Sequence, residues 1–77
     1  SFAAANKYEL LGDGWVQQKQ IDQAISAFEK SLQINSGQIK ARMLLISLYE
    51  YRNPQKADKE KKYLKYVESF YKETRGL

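Results

Sequence analysis

Apolar residues recur at helical spacing along most of the chain, in four stretches separated by short polar breaks. Tyr8, Leu11, Gly12 and Trp15 fall at i, i+3, i+4 and i+7. That spacing sets two large rings, a leucine and a gap on one face of a first helix expected over about 5–18. After a polar turn through Gln17 to Gln20, the period resumes with Ile21, Ala24, Ile25, Phe28 and Leu32 and predicts a second helix to Ile34. Asp22 then sits near the positive end of that helix. Two stripes so close in sequence can face each other only if the helices run antiparallel. Gly12 has no side chain to hold the second helix away, Ala24 offers it a small surface, and Phe28 fills the space beside them. Asn35-Ser36-Gly37 reads as a stop, since Gly and then Asn best accept positive φ at a helix end.

A third helix is expected over about 38–51, with Ala41, Leu44, Leu45, Leu48 and Tyr49 on one face and Met43 and Ile46 widening it. A helix apolar almost all round belongs between neighbours. Asn53-Pro54 supplies an N-cap and a proline at the first helical position, where its missing N–H does no harm. The fourth helix should run from there to Glu73 or Thr74, ahead of Gly76, with Ala57, Leu64, Val67 and Tyr71 as its stripe. Tyr63, Tyr66, Phe70 and Tyr71 are too many rings for one narrow stripe, so some should stay at the surface as candidates for a partner interface. Residues 1–5 are expected to form a frayed lead-in to the first helix. Gly14 within that helix costs roughly 1 kcal/mol against alanine.

The first two helices resemble a tetratricopeptide repeat, a unit of about 34 residues written W-x2-L-G-x2-Y, then A-x3-F and a closing P. Here Tyr8, Leu11, Gly12 and Trp15 are followed by Ala24 and Phe28, with the two aromatic positions exchanged and Ser36 standing where the proline is usual. The resemblance covers about 5–38. A degenerate second copy over about 39–74 keeps Leu45 and Tyr49, but has Arg42 for the first aromatic and Ile46 for the glycine. Its Ala and Phe positions would be Asp58 and Lys62, which do not suit a buried face. The resemblance implies an all-α, right-handed superhelical stack of about four helices in one domain over 1–77, the last helix long and capping. It also implies a concave face that holds a peptide. Carried over by position, that face would comprise Asn6, Glu9, Asp13, Val16 and Gln17 from the first repeat and Lys40, Met43, Ser47, Glu50 and Tyr51 from the second. Some members of the family clamp an acidic tail with Lys and Asn where this chain has Glu9 and Asp13. A basic or amphipathic segment therefore fits better.

At 77 residues, a chain buries only about 60% of its unfolded surface, so the core is thin and gains from a packing partner. A first residue that is Ser rather than Met suggests a piece of a longer protein. Cysteine and histidine are both absent, which removes disulfides, thiolate metal sites, the usual general base and the strongest nucleophile. No glycine-rich phosphate loop is present, because Gly12 and Gly14 lie within a helix. No enzyme activity, cofactor or metal is expected. No apolar run reaches the roughly 20 residues that cross a bilayer.

The net charge is +4, and its excess lies late: 54–77 carry seven Lys or Arg against four Asp or Glu. Lys56, Lys59, Lys61, Lys62 and Lys65, with Tyr63 and Tyr66 nearby, could meet phosphates and stack on bases. Asp58 and Glu60 interrupt the run, and pairs such as Asp58 with Lys62 make a solvated helix face the plainer reading. The sequence thus points to a protein-binding module. Its alternative is a structural or dimerising element that works through the aromatic face of the last helix, against a second copy or a partner domain.

Overall fold

The computed structural model describes residues 1–75, and over that span the protein is all-α. Its elements are α1 (Phe2–Gln17), α2 (Ile21–Ile34), α3 (Ile39–Arg52) and α4 (Pro54–Arg75). Gly76, expected just past the last helix, lies outside the described residues.

The first helix starts at Phe2 rather than Ala5, because Ser1 caps it: the Ser1 hydroxyl accepts the Ala4 N–H at 3.2 Å. Apolar periodicity does not register a cap, and the alanines that follow are the strongest helix formers. α1 ends in a Schellman motif, with the Gln20 N–H donating to the Trp15 carbonyl and the Lys19 N–H to the Val16 carbonyl, both at 2.9 Å. The left-handed residue this motif requires is Lys19, at φ 60°. The expected left-handed stop after α2 does not form, since no glycine has positive φ among the described residues. There the chain leaves through extended backbone at Asn35, whose Oδ1 accepts the Gly37 N–H at 3.1 Å. α4 starts as expected, with the Asn53 carbonyl accepting from Lys56 and Ala57.

Side-chain contacts fix the helix directions. Ser31 of α2 reaches Ala5 of α1 near one end of that pair, and Phe28 lies against Gly12 further along, so α1 and α2 are antiparallel. A Cβ on Gly12 would fall 2.6 Å from Phe28 Cε1, which shows how closely the ring sits on the bare backbone. Ala24, Phe28 and Leu32 of α2 meet Ala41, Leu45, Ile46 and Tyr49 of α3 in one core, and Ala57 of α4 closes it. The turn between α3 and α4 is Asn53 alone, where three residues join α1 to α2. α4 therefore begins early, and Ala57 rather than Asp58 is buried. Two expectations for the apolar faces fail: Leu11 is largely exposed, and Met43 points to solvent while Arg42 is buried.

The molecule measures 44 × 29 × 17 Å with a radius of gyration of 13.3 Å. A sphere-like domain of this length would have about 11.5 Å. The helices thus form a layer, with one side of each open to water.

Candidate functional site

α1 and α3 lie on one side of this layer, both packed on α2, and polar contacts bridge them. Lys40 Nζ stands 3.6 Å from Asp13 Oδ2, and Gln38 Nε2 donates to Glu9 Oε1 at 3.5 Å. Ser31 anchors the junction from beneath. Its fully buried hydroxyl lies 2.6 Å from both the Ala5 carbonyl and the Gln38 side-chain oxygen at the cap of α3, and its one proton serves one of these two acceptors at a time. Sequence reasoning passed over Ser31, because a serine on an apolar face carries no periodic signal.

Of the ten residues expected on the concave face, the structure brings Glu9, Asp13 and Lys40 together across the α1/α3 seam. Asn6, Val16 and Gln17 of α1 and Met43, Ser47 and Tyr51 of α3 are exposed around them. The Ser47 hydroxyl donates to the Met43 carbonyl one turn back, and the Tyr51 ring lies under the Arg52 guanidinium at 5.6 Å. Glu50 instead faces α4, where it meets Lys61 at 3.2 Å. Asp13 is paired with Lys40, Glu9 keeps its charge while accepting from the neutral Gln38 amide, and the exposed surface around them mixes polar Asn6 and Gln17 with apolar Val16, Met43 and Tyr51.

A second polar cluster holds α4. Arg42 Nη1 meets Glu60 Oε1 at 2.7 Å, its Nη2 donates to the Ser36 carbonyl at 2.9 Å, and its guanidinium lies over the Tyr63 ring at 4.5 Å. Arg42, which departs from the aromatic that the resemblance leads one to expect at its position, therefore helps to pin α4. Close by, the Tyr49 hydroxyl donates to Glu29, and Lys56 approaches the same carboxylate at 4.0 Å. Burial first, and then the hydrogen bond to Glu29, push the Tyr49 phenol well above its ordinary value.

On α1 and α2 alone, Tyr8, Leu11, Trp15 and Ala27 wall an open cleft of about 510 Å³, with Asp22 and Lys30 also lining it. The sequence assigned these rings wholly to the interhelical core. Trp15 packs on the core with one edge and walls the cleft with the other, whereas Tyr8 is half-buried at the cleft.

The expected Asp58–Lys62 pair is absent. Lysines of α4 pair instead with Glu29 and Glu50 on α2 and α3, and Lys72 pairs with Glu68 along the helix. Tyr63, Tyr66, Phe70 and Tyr71 are all exposed, so every ring proposed as a partner contact is at the surface. Among the described residues no helix is long and apolar enough to cross a membrane, and no cluster of Asp and Glu is positioned to hold a metal ion. Comparison of the chain with protein-family models, with curated proteins and with solved structures gives no match.

Proposed function

We propose that this chain is a tetratricopeptide-repeat-like module that binds protein, holding a partner segment against the joint face of α1 and α3. The observation that carries this reading is the polar bridge between those helices: Asp13 with Lys40 and Glu9 with Gln38 join two helix faces into one surface. On that surface Val16, Met43 and Tyr51 stand exposed. A surface fixed in advance binds without an ordering cost on its own side. The bridge also changes the ligand that fits. Since Asp13 is already paired with Lys40 and Glu9 alone keeps its charge, the partner is an amphipathic segment that offers apolar side chains to Met43 and Tyr51, more than a strongly basic one. Met43 suits this role because its unbranched thioether adapts to irregular surfaces.

The test is selection of peptides from a random library, followed by affinity measurement on Met43→Ala and Tyr51→Ala. Each substitution should weaken a selected peptide at least fivefold, with the helical circular dichroism unchanged. Failure to select any binder, or binders indifferent to both substitutions, would refute this placement. Lys-rich peptides binding much more tightly than amphipathic ones would overturn the ligand class.

A further inference from the structure

α4 has 22 residues against 14 in α3, so it projects about 12 Å beyond its neighbour at 1.5 Å per residue. Within the hairpin its stripe is covered, with Ala57 buried and Leu64 half-buried. From Lys65 to Thr74 every residue is exposed. The stripe does not stop where its cover does: Leu64 and Tyr71 are one heptad apart, as are Tyr63 and Phe70, and Val67 falls between them on the same side. Ile39, the first residue of α3, lies as far along the hairpin from the turn at Asn53 as Val67 does, so it borders the same patch.

We infer that this patch is the contact surface of a reversible homodimer, in which the projecting end of α4 packs antiparallel against the same segment of a second copy. Area sets the strength. Taking about 200 Å² per ring, Tyr63 at 43%, Phe70 at 58% and Tyr71 at 58% exposure leave roughly 300 Å² of ring surface per copy. Val67 at 40% and Ile39 at 66% raise the patch to roughly 450 Å². Two copies would bury about 900 Å², just under the 1,000 Å² or so that a lasting interface clears, so the pair forms and dissociates with concentration.

Charge does not bar a like partner. Over 63–75 the helix carries Lys65, Lys72 and Arg75 against Glu68 and Glu73, a net charge of +1 per copy, and so small an excess is screened at physiological salt; the larger basic excess of α4 lies earlier, between Lys56 and Lys62. An antiparallel two-fold pair about Val67 sets Tyr63 of each copy against Phe70 and Tyr71 of the other, in the offset or edge-on contacts aromatic groups prefer. This inference does not rest on the peptide-binding reading, because the patch shares no residue with the α1/α3 face.

Sedimentation equilibrium from micromolar to millimolar protein tests it. The mass should rise from one chain toward two, and Val67→Asp with Phe70→Asp should weaken association at least tenfold while thermal unfolding is unchanged. Tyr66→Asp, on the outer side of α4, should leave association intact. Isotope-filtered NMR on mixed labelled and unlabelled protein should give intermolecular contacts between Tyr63 and Phe70 without any substitution. A one-chain mass at every concentration, a dimer that survives the paired substitution, or equal sensitivity to Tyr66→Asp would each overturn the inference.

Discussion

Gly12 and Gly14 stand two residues apart in α1, and alanine at the two positions should change stability in opposite directions. A Cβ at Gly14 would meet nothing within 4 Å. Gly14→Ala should therefore gain most of the helix-propensity difference, about 1 kcal/mol. A Cβ at Gly12 would lie 2.6, 2.7 and 2.8 Å from three atoms of the Phe28 ring. Real contacts essentially never come so close, and Phe28 is fully buried among Ala24, Leu32 and Leu45, so the ring cannot swing clear. Overpacking of this kind costs about 1–3 kcal/mol, which the same propensity gain offsets by about 1. The net expectation for Gly12→Ala is a loss of up to about 2 kcal/mol, and about 2 kcal/mol separates the variants at the middle of the range. In a domain this small, each kcal/mol moves Tm by about 4–8 °C, well within reach of thermal melts followed by circular dichroism. Phe28→Ala alone should cost about 3–5 kcal/mol, and the pair with Gly12→Ala should be milder than the sum, because the new methyl occupies vacated space. If Gly12→Ala proved as stable as Gly14→Ala, the ring would not be where the packing argument needs it.

Three further outcomes are expected. Lys19→Gly should stabilise the protein by about 1 kcal/mol, because it relieves the left-handed strain at φ 60°; a loss in denaturant melts would mean that the Lys19 side chain has a role of its own. Tyr49→Phe should cost about 1 kcal/mol at neutral pH through the lost hydrogen bond to Glu29. The raised Tyr49 phenol keeps its proton in the folded chain while the unfolded chain releases it above the ordinary value of 10.0, so its contribution to stability is full below pH 10 and is lost as pH rises beyond. Urea melts from pH 9 to 12 should thus show a shallower alkaline decline for Tyr49→Phe than for the wild type. Glu60→Gln should cost about 1.5–3 kcal/mol and speed amide exchange in α4, because it leaves Arg42 enclosed without its carboxylate. Lys72→Ala, which breaks an exposed pair on the same helix, should cost less than about 0.5 kcal/mol in the same melts.

The residues that announced themselves in the sequence are those whose role is local and periodic. Gly12, Ala24 and Phe28 were legible as an interlocking set because helical spacing alone puts them on facing stripes, and the ring does lie on the bare glycine. The start of α4 was legible because Asn and Pro each act on their own backbone. What stayed hidden depends on neighbours distant in sequence. Ser31 binds a carbonyl 26 residues away, and Arg42 looked like damage to a repeat pattern until Glu60, Ser36 and Tyr63 closed around it. Lys19 hid for another reason, since a lysine where the helix end calls for glycine runs against the rule that would have marked the turn. On the candidate face, Asn6 to Gln17 could be placed on one side of α1 by counting, but nothing in the spacing says that Gln38 arrives to hydrogen-bond Glu9 and Lys40 to pair with Asp13.

The two ends of the layer are held by different forces, and this bears on which surface changes with conditions. α1, α2 and α3 interlock through buried apolar side chains, whereas only Ala57 of α4 is fully buried and the helix relies on Arg42 with Glu60, Lys56 with Glu29 and Lys61 with Glu50. Apolar packing is nearly indifferent to ionic strength, while the exposed pairs of Lys56 and Lys61 are screened within a Debye length of about 8 Å at physiological salt and the enclosed Arg42–Glu60 pair is screened much less. Added salt should therefore loosen α4 before the other helices. The α1/α3 face loses the Asp13–Lys40 pair to the same screening, but both helices remain packed on α2, so the face keeps its backbone frame while α4 frays. The α4 patch needs its helix intact to present its rings together. A binding activity that survives high salt belongs to the α1/α3 face, and one that fades with α4 amide protection belongs to the projecting end.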